Sequence, residues 1–474
     1  MVGFDLDMTL VDSRPGIGAA WAVLAEETGV RIDIASVVSR LGPPLEIEVA
    51  NWFPAAEVAA VAARYRELYP LHAVRGTDVL PGALDALAAV HGHGGRTAVV
   101  TGKHAPNARL HLDHLRLPVD HLVGDLWGPE KGVALRELGA SVYVGDHLGD
   151  VAGARAAGAI AVGVATGPIS AADLLAAGAD VVLDDLTGFP AWLDAHVADT
   201  RLALLDERLR ELGRVAVAFS GGADSAFLLA AAVRTLGADA VLALTTVSPS
   251  LPEVERAAAV TFAEKLGVHH ELVPSDELSR PGYQENNGDR CRFCKTELMS
   301  VLAPAARAAG VEHLATGTNA DDARAGFRPG IAAAAEAGAL TPLLDAGLTK
   351  AQVRALSRTW GLPTWDKPAA ACLSSRVAFG IGITPSRLAR VERAETALRA
   401  VLADAGIPVR NLRVRDLGDV ARIEVDAALT GAVVAHEPAS AAVRAAGFDV
   451  VEIDPVGYRE GAMNELLPDP ETYR

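Results

Sequence analysis

Short β-rich runs alternate with helical stretches along most of this chain, and that alternation constrains the fold more than any other feature. Runs at residues 2–6, 96–100, 141–144, 160–164 and 180–183 read as strands, with helical spacings between them. Strands separated by helices pair in parallel, and the helices cover the sheet faces. A second series begins at residues 214–219 and continues at 241–246, 270–273 and 313–316. It predicts a second α/β unit, reached through a connector at residues 188–200 that leads into a helix. After Pro385 the character changes to a charged helix at 386–405 and short alternating strands near 412–415 and 421–425, which predicts a small α+β domain. The expected organisation is a doubly wound domain at 1–195, a second α/β domain at 196–385 and the α+β domain at 386–474. The chain of 474 residues is long enough for three such units at roughly 150 residues each.

Half of the residues are hydrophobic and 22% are charged, the balance of a globular chain rather than a disordered one. The longest apolar stretches, such as residues 226–233, fall far short of the roughly 18 residues that span a bilayer. The sequence opens on a strand-like run, not on a basic region followed by an apolar one, so a cytoplasmic protein is expected. Residues 1–200 carry 13 Lys and Arg against 25 Asp and Glu, and residues 201–474 carry 30 against 35. Neither half has the basic excess that phosphate-backbone binding needs, which argues against nucleic acid and leaves small anions. Cys291, Cys294 and Cys372 are the only cysteines; an odd number suits metal ligation or thiol reactivity better than structural disulfides.

Asp5-Leu6-Asp7-Met8-Thr9 stands at the C-terminal end of the first strand, where a doubly wound sheet presents functional side chains. Two aspartates two residues apart can divide phosphoryl transfer between them. One attacks phosphorus; the other gives a proton to the leaving group and takes one from water. Thr101 follows the strand at 96–100, Lys131 opens a helix, and Gly145-Asp146-His147-Leu148-Gly149-Asp150 follows the strand at 141–144. These add a hydroxyl, a cation and carboxylates suited to Mg²⁺. In this order the set resembles the haloacid dehalogenase superfamily over residues 1 to about 190. The resemblance implies Asp5 as nucleophile, Asp7 as general acid and base, Thr101 and Lys131 on the phosphoryl group, and Mg²⁺ on Asp5, Asp146 and Asp150. It also implies a helical cap at about 14–80, as in members similar to phosphoglycolate phosphatase and β-phosphoglucomutase. The second aspartate favours phosphatase over dehalogenase chemistry.

Ser220-Gly221-Gly222-Ala223-Asp224-Ser225 lies between an apolar strand and a helix. Glycines let backbone N–H groups approach phosphate, and a helix N-terminus adds partial positive charge. The spacing is not that of a Walker loop. The string resembles the pyrophosphate loop of ATP pyrophosphatases, which cleave ATP to AMP and pyrophosphate; this implies that Ser220, Gly221, Gly222, Asp224 and Ser225 bind ATP.

Asn287-Gly288-Asp289-Arg290-Cys291-Arg292-Phe293-Cys294-Lys295 contains a C-x-x-C, which alone reads as half a zinc site, a redox pair or an iron-sulfur anchor. The third thiol, Cys372, is either a buried small hydrophobe or a third ligand. From about residue 214 to 415 the chain resembles the LarE family, the ATP-dependent sulfur transferases of nickel-pincer nucleotide synthesis. The resemblance rests on the pyrophosphate loop and the C-x-x-C string, on Gly317-Thr318-Asn319-Ala320-Asp321-Asp322, Arg328-Pro329-Gly330 and Lys350, and on Trp365-Asp366-Lys367-Pro368 running into Cys372-Leu373-Ser374-Ser375-Arg376. It implies adenylation of the carboxylates of a pyridinium biscarboxylic acid mononucleotide and replacement of oxygen by sulfur. Members with one cysteine, at the position of Cys372, give up that sulfur; members with three resemble transferases in which a 4Fe-4S cluster carries an extra sulfide. With Cys291, Cys294 and Cys372 all present, the cluster version is expected. Arg376 is implied at the substrate, and Arg413 and Arg415, an alternating pair on a strand, at its phosphate.

A cluster-bearing tRNA thiolase, an ammonia-using amide synthetase and a redox-sensing nucleotide binder remain alternatives from the residues alone. A sulfide donor, Mg²⁺, ATP and homo-oligomerisation through the C-terminal half complete the expectation. For the first domain the expected substrate is pyrophosphate from the adenylation step, whose removal would pull that step forward; a phosphomonoester is the alternative.

Overall fold

In the computed structural model, which describes residues 1–324, 329–368, 371–459 and 461–466, the chain divides into two compact units, Met1–Val197 and Ala198–Arg474. Of the strings above, Arg328 lies outside the described residues, as does the Ala369-Ala370 link before Cys372. Among the described residues no helix is long and apolar enough to cross a membrane.

The first unit is built on a six-stranded sheet in the order His121–Val123, Thr97–Val100, Val2–Phe4, Val142–Gly145, Ile160–Val164, Val181–Leu183. Every pairing is parallel. Both faces are covered because successive residues of each strand are apolar and point to opposite sides. Phe4, Val99 and Val144 enter one core and Ala98, Val100 and Tyr143 the other. The chain works outward from Val2–Phe4 on one side, then returns to lay Val142–Gly145 on the other. That reversal opens a crevice at the carboxyl ends of these two neighbours, the position at which such sheets bind ligands. Asp5 and Asp146 are the residues that follow those two strands.

Four helices, Arg14–Thr28, Ile34–Ser39, Leu45–Val49 and Val58–His72, form a layer with its own core of Trp21, Leu24, Val37, Phe53 and Tyr65. A two-stranded antiparallel ribbon, Val11–Asp12 with Asp78–Val79, closes the entry to and the exit from this layer. The expected connector at 188–200 is the first half of a helix, Phe189–Leu212.

The second unit repeats the logic with four parallel strands in the order His269–Pro274, Val241–Val247, Val215–Ala218, Leu314–Thr316. Its reversal lies between Val215–Ala218 and Leu314–Thr316, so the loops after these strands share a crevice. The same unit contains a three-stranded sheet, Leu412–Asp416, Val420–Val425 and Val450–Ile453, antiparallel at its first pairing and parallel at its second. Helix Pro385–Asp404 buries Leu388, Val391 and Leu398 against Leu412, Val414 and Ile423 of that sheet.

Candidate active sites

At the crevice of the first unit, ligand oxygens of Asp5, Asp146 and Asp150 all lie within 4.8 Å of one another. Asp5 is held at its strand end by its N–H, which donates to Val144 O at 2.8 Å. Asp150 reaches the group from the first turn of helix Leu148–Ala157, where its Oδ2 accepts from the His147 N–H at 3.0 Å. Thr9 Oγ1 donates to Asp146 Oδ1 at 3.0 Å. Lys131, buried at the start of helix Lys131–Glu137, donates from Nζ to Asp5 Oδ1 at 3.0 Å and to Asp150 Oδ1 at 2.6 Å. Burial works against its charge, but the two carboxylates outweigh it and hold the ammonium above its usual range. Burial pushes the Asp5 carboxyl up to about 6 against the pull of Lys131, with Asp150 and Asp7 adding to the rise. Asp146 is raised well above the carboxylate range by burial and by Asp150 and Asp5. Three carboxylates against one ammonium, which reaches only Asp5 and Asp150, leave an excess of negative charge, which fits a hard divalent cation.

Asp7 faces the same cavity but is held differently. Its Oδ1 accepts from Ser13 Oγ and from Lys103 Nζ, the latter at 2.6 Å. Burial alone would raise its carboxyl; Lys103 outweighs that and lowers it. Lys103 Nζ also donates to Tyr69 OH at 2.6 Å, and that hydroxyl lies 2.8 Å from His111 Nε2. Met8, between these groups and the rest of the turn, has φ 59°, a left-handed conformation rare outside glycine. Thr101 lies on the cavity wall with Asp5, Asp7 and Asp146, whereas the buried Lys131 and Asp150 do not line it.

The second crevice holds the glycine-rich loop. Gly221 has φ 72°, which a side chain would resist, and Gly222 caps helix Ala223–Leu236. Ser225 Oγ lies 3.1 Å from Ser220 Oγ and accepts from the Ser220 N–H at 3.3 Å, which closes the loop on itself. Lys367 Nζ donates to Gly221 O at 2.9 Å and to Glu255 at 2.6 Å. Asp224 Oδ1 is buried with no hydrogen-bond partner. Burial raises this carboxyl, Lys350 opposes the rise and Asp322 adds to it. The loop Gly317-Thr318-Asn319 approaches so closely that a Cβ on Gly317 would lie 2.7 Å from Ser225 N. Gly317→Ala is therefore expected to displace the helix start and weaken ATP binding at least about tenfold, measured by calorimetry.

One cavity of about 470 Å³ is walled by Ser220, Gly222, Asp224 and Ser225 and also by Cys294 and Cys372. Cys291 is exposed, and Cys294 and Cys372 are half-buried. Burial pushes the Cys294 thiol well up, and Cys372, Glu277 and Cys291 push it further. Cys294 and Cys372 share that wall and Cys291 does not line it; among the described residues the ligand atoms gathered within 4.8 Å of one another are those of Asp5, Asp146 and Asp150, not the three thiols.

Residues 2–155 match the family model of haloacid dehalogenase-like hydrolases, residues 130–189 a second hydrolase model of that type, and residues 200–376 the NAD synthase model. The phosphoglycolate phosphatase of Cereibacter sphaeroides is 31% identical over 176 residues, 33% of this chain and 81% of its own. An uncharacterized protein of Synechocystis sp., slr1717, is 40% identical over 272 residues, 57% of this chain and 98% of its own. The pyridinium-3,5-bisthiocarboxylic acid mononucleotide synthase of Lactiplantibacillus plantarum is 35% identical over 269 residues, 56% of this chain and 95% of its own. The chain belongs to the LarE family. It belongs equally, through its first unit, to the haloacid dehalogenase-like hydrolases. It is an enzyme with a hydrolase unit and a LarE-type sulfur-transferase unit.

Three arginines expected at the LarE-type substrate are placed differently from one another. Arg376 is buried and lines none of the three cavities described; it donates to Glu395 at 3.0 and 3.2 Å and to Cys372 O at 3.0 Å. Its side chain thus fixes the Cys372 loop. Arg413 and Arg415 line a separate cavity of about 160 Å³ with Arg290 and Tyr458. Arg415 is paired with Glu424 at 2.9 and 2.6 Å, and burial followed by Arg376 lowers the affinity of Arg413 for its proton. Sequence reasoning did not single out Lys103, Tyr69 or Glu277. Lys103 could have been found as the cation two residues beyond Thr101 in the same turn. Nothing local marks Tyr69, or Glu277, whose carboxylate accepts from Ser248, Ser250 and Ser275 on the wall of the thiol cavity.

Proposed function

We propose that the LarE-type unit adenylates the carboxylates of pyridinium-3,5-biscarboxylic acid mononucleotide with ATP and exchanges an oxygen of each for sulfur. The observation that carries this reading is the single cavity shared by the glycine-rich loop and two thiols. In the first step the carboxylate oxygen attacks the α-phosphorus of ATP and the α–β bridging bond breaks, releasing pyrophosphate. Backbone N–H groups at the start of helix Ala223–Leu236 receive the departing phosphates. Asp224, with its unpartnered buried oxygen, would hold the Mg²⁺ that accompanies ATP. In the second step sulfide adds to the activated carbonyl carbon and AMP leaves, so that C–S replaces C–O. Cys291, Cys294 and Cys372 would hold a 4Fe-4S cluster, which supplies the position for a transferable sulfide. Arg413 and Arg415 would bind the substrate phosphate. A sulfide donor and assembly through the C-terminal half belong to the same reading.

In the hydrolase unit Asp5 attacks phosphorus and the bond to the leaving oxygen breaks, while Asp7 relays to that oxygen the proton that the Lys103 ammonium donates to it. Water then attacks the aspartyl phosphate, Asp7 takes its proton, and Asp5 is restored. Thr101 orients the phosphoryl oxygens, and Lys131 fixes Asp5 from behind. Asp5, Asp146 and Asp150 would hold Mg²⁺, which neutralises the phosphoryl charge.

The test of the transferase reading is pyrophosphate release when ATP and the mononucleotide are mixed with the intact protein. Asp224→Ala is expected to lower that release by about 100-fold or more, a loss of the size seen when a preorganised charge partner is removed. Unchanged far-UV circular dichroism would show that the chain still folds. Release by the variant at the wild-type rate would end the assignment.

A further inference from the structure

We propose that the hydrolase unit acts on phosphomonoesters whose leaving group is uncharged and ring-bearing, of the nucleoside or aryl kind, and rejects pyrophosphate and carboxylate-bearing esters. The inference rests on the reading of Asp5 as nucleophile and adds the class of substrate. The cavity over Asp5, Asp7, Thr101 and Asp146 measures about 350 Å³. That is the size of a site for a small organic ligand.

Its charges decide what can fill it. The cationic or titratable bases on its wall are Arg40, Arg66, Lys103, His104 and His147. Arg40 donates to both oxygens of Glu48 at 3.0 and 2.6 Å, and Arg66 donates to Glu46 at 2.6 Å. Lys103 is engaged by Asp7, and His104 Nδ1 lies 3.0 Å from Asp125 Oδ1. His147 accepts from the Gly149 N–H through Nδ1 at 3.1 Å. Glu46, Glu48 and Asp125 face the same space. A second phosphate or a carboxylate entering here would meet a carboxylate beside each of the three cations Arg40, Arg66 and Lys103, and another beside His104, and would lose its water without gaining an unopposed partner. The same argument turns away the biscarboxylate mononucleotide proposed for the transferase unit, so the hydrolase would not consume it.

The rest of the wall suits a ring. Half-buried Leu41, Leu45 and Trp127 supply apolar and aromatic surface, and Trp21, Val37 and Tyr65, buried in the core of the helical layer, complete the lining. Trp127 packs on His147 with ring centroids 5.0 Å apart. Gly42, at φ 134°, lies so close that a Cβ there would come within 3.2 Å of the Trp127 ring and 3.0 Å of His147, so a side chain at this position would crowd both rings. A planar leaving group gains dispersion and stacking energy against such a surface; pyrophosphate gains none.

The test measures inorganic phosphate released by the intact protein with Mg²⁺ from uridine 5′-monophosphate, phenyl phosphate, phosphoglycolate and pyrophosphate, counting only the part that Asp5→Asn removes. We expect kcat/KM for the two esters with uncharged leaving groups to exceed that for the two substrates that carry a second anionic group by about 100-fold. In calorimetry without turnover, the Asp5→Asn protein should bind uridine monophosphate about tenfold more tightly than phosphoglycolate. The double variant Glu46→Gln, Glu48→Gln, which frees both arginines, should raise phosphoglycolate relative to uridine monophosphate by about tenfold. Phosphoglycolate and pyrophosphate handled as well as the two esters with uncharged leaving groups would overturn the proposal and leave the Asp5 nucleophile standing. Absence of Asp5-dependent release from all four substrates would bring down the hydrolase reading itself.

Discussion

Replacing Cys372 by Ser is expected to reduce sulfur transfer at least about 1000-fold while pyrophosphate release continues, because the change removes a soft donor and leaves the loop that carries it in place. That loop is held by groups other than the thiol. The Leu373 N–H donates to Ser250 O at 2.8 Å, Arg376 donates to Cys372 O at 3.0 Å, and Tyr283 OH lies 2.6 Å from Ser374 Oγ. A hydroxyl of nearly the same size keeps these contacts, so adenylation, which depends on the opposite wall of the cavity, should survive. Iron bound after anaerobic purification separates the two sulfur routes. If the cluster carries the sulfur, serine at any one of Cys291, Cys294 and Cys372 lowers iron and transfer together. If Cys372 gives up its own sulfur, only Cys372→Ser abolishes transfer, and mass spectrometry finds the wild-type chain lighter by one H₂S after a turnover.

The parallel sheets were legible because strand and helix periods differ and their alternation leaves few topologies. The positions of Asp5, Asp146 and the glycine-rich loop followed from that topology, each being the next residue or turn after a strand at a reversal of sheet order. One short edge was not legible, although the edge strands Val181–Leu183 and Leu314–Thr316, equally short, were read. His121–Val123 has three residues and opens on histidine, and it pairs because Ala98, Val99 and Val100 offer it a register. Side-chain partners distant in sequence were also hidden. Asp7 could be read as an acid, but not that Lys103 from one loop and Tyr69 from a helix of the overlying layer would converge on it. An alternating Arg-x-Arg shows which side of a strand two arginines share. It does not show that Glu424 engages one of them, or that Arg376 lies buried beside Glu395. Such pairings depend on how separate elements pack, which local patterns do not encode.

Asp5→Asn is expected to abolish phosphate release, by about 1000-fold or more, and at the same time to make the metal-free protein more stable. The first effect follows from chemistry: an amide of the same shape cannot form the acyl phosphate, and no other carboxylate stands where Asp5 does. The second follows from charge. Between the ordinary carboxylate value of 3.8 and the buried value of about 6, the folded chain keeps a proton that the unfolded chain has lost. Stability therefore falls as pH rises through that window and stays lower above it, by up to about 3 kcal/mol for a shift of about two units. Asparagine carries no such penalty, so at pH 7.5 in EDTA the variant should unfold at higher denaturant than wild type, with the two curves converging below about pH 4. Adding Mg²⁺ should narrow the gap, since wild type gains a ligand for its excess charge and the variant has lost one of three oxygen donors. A variant that is inactive but no more stable without metal would show that Lys131 already balances the three carboxylates.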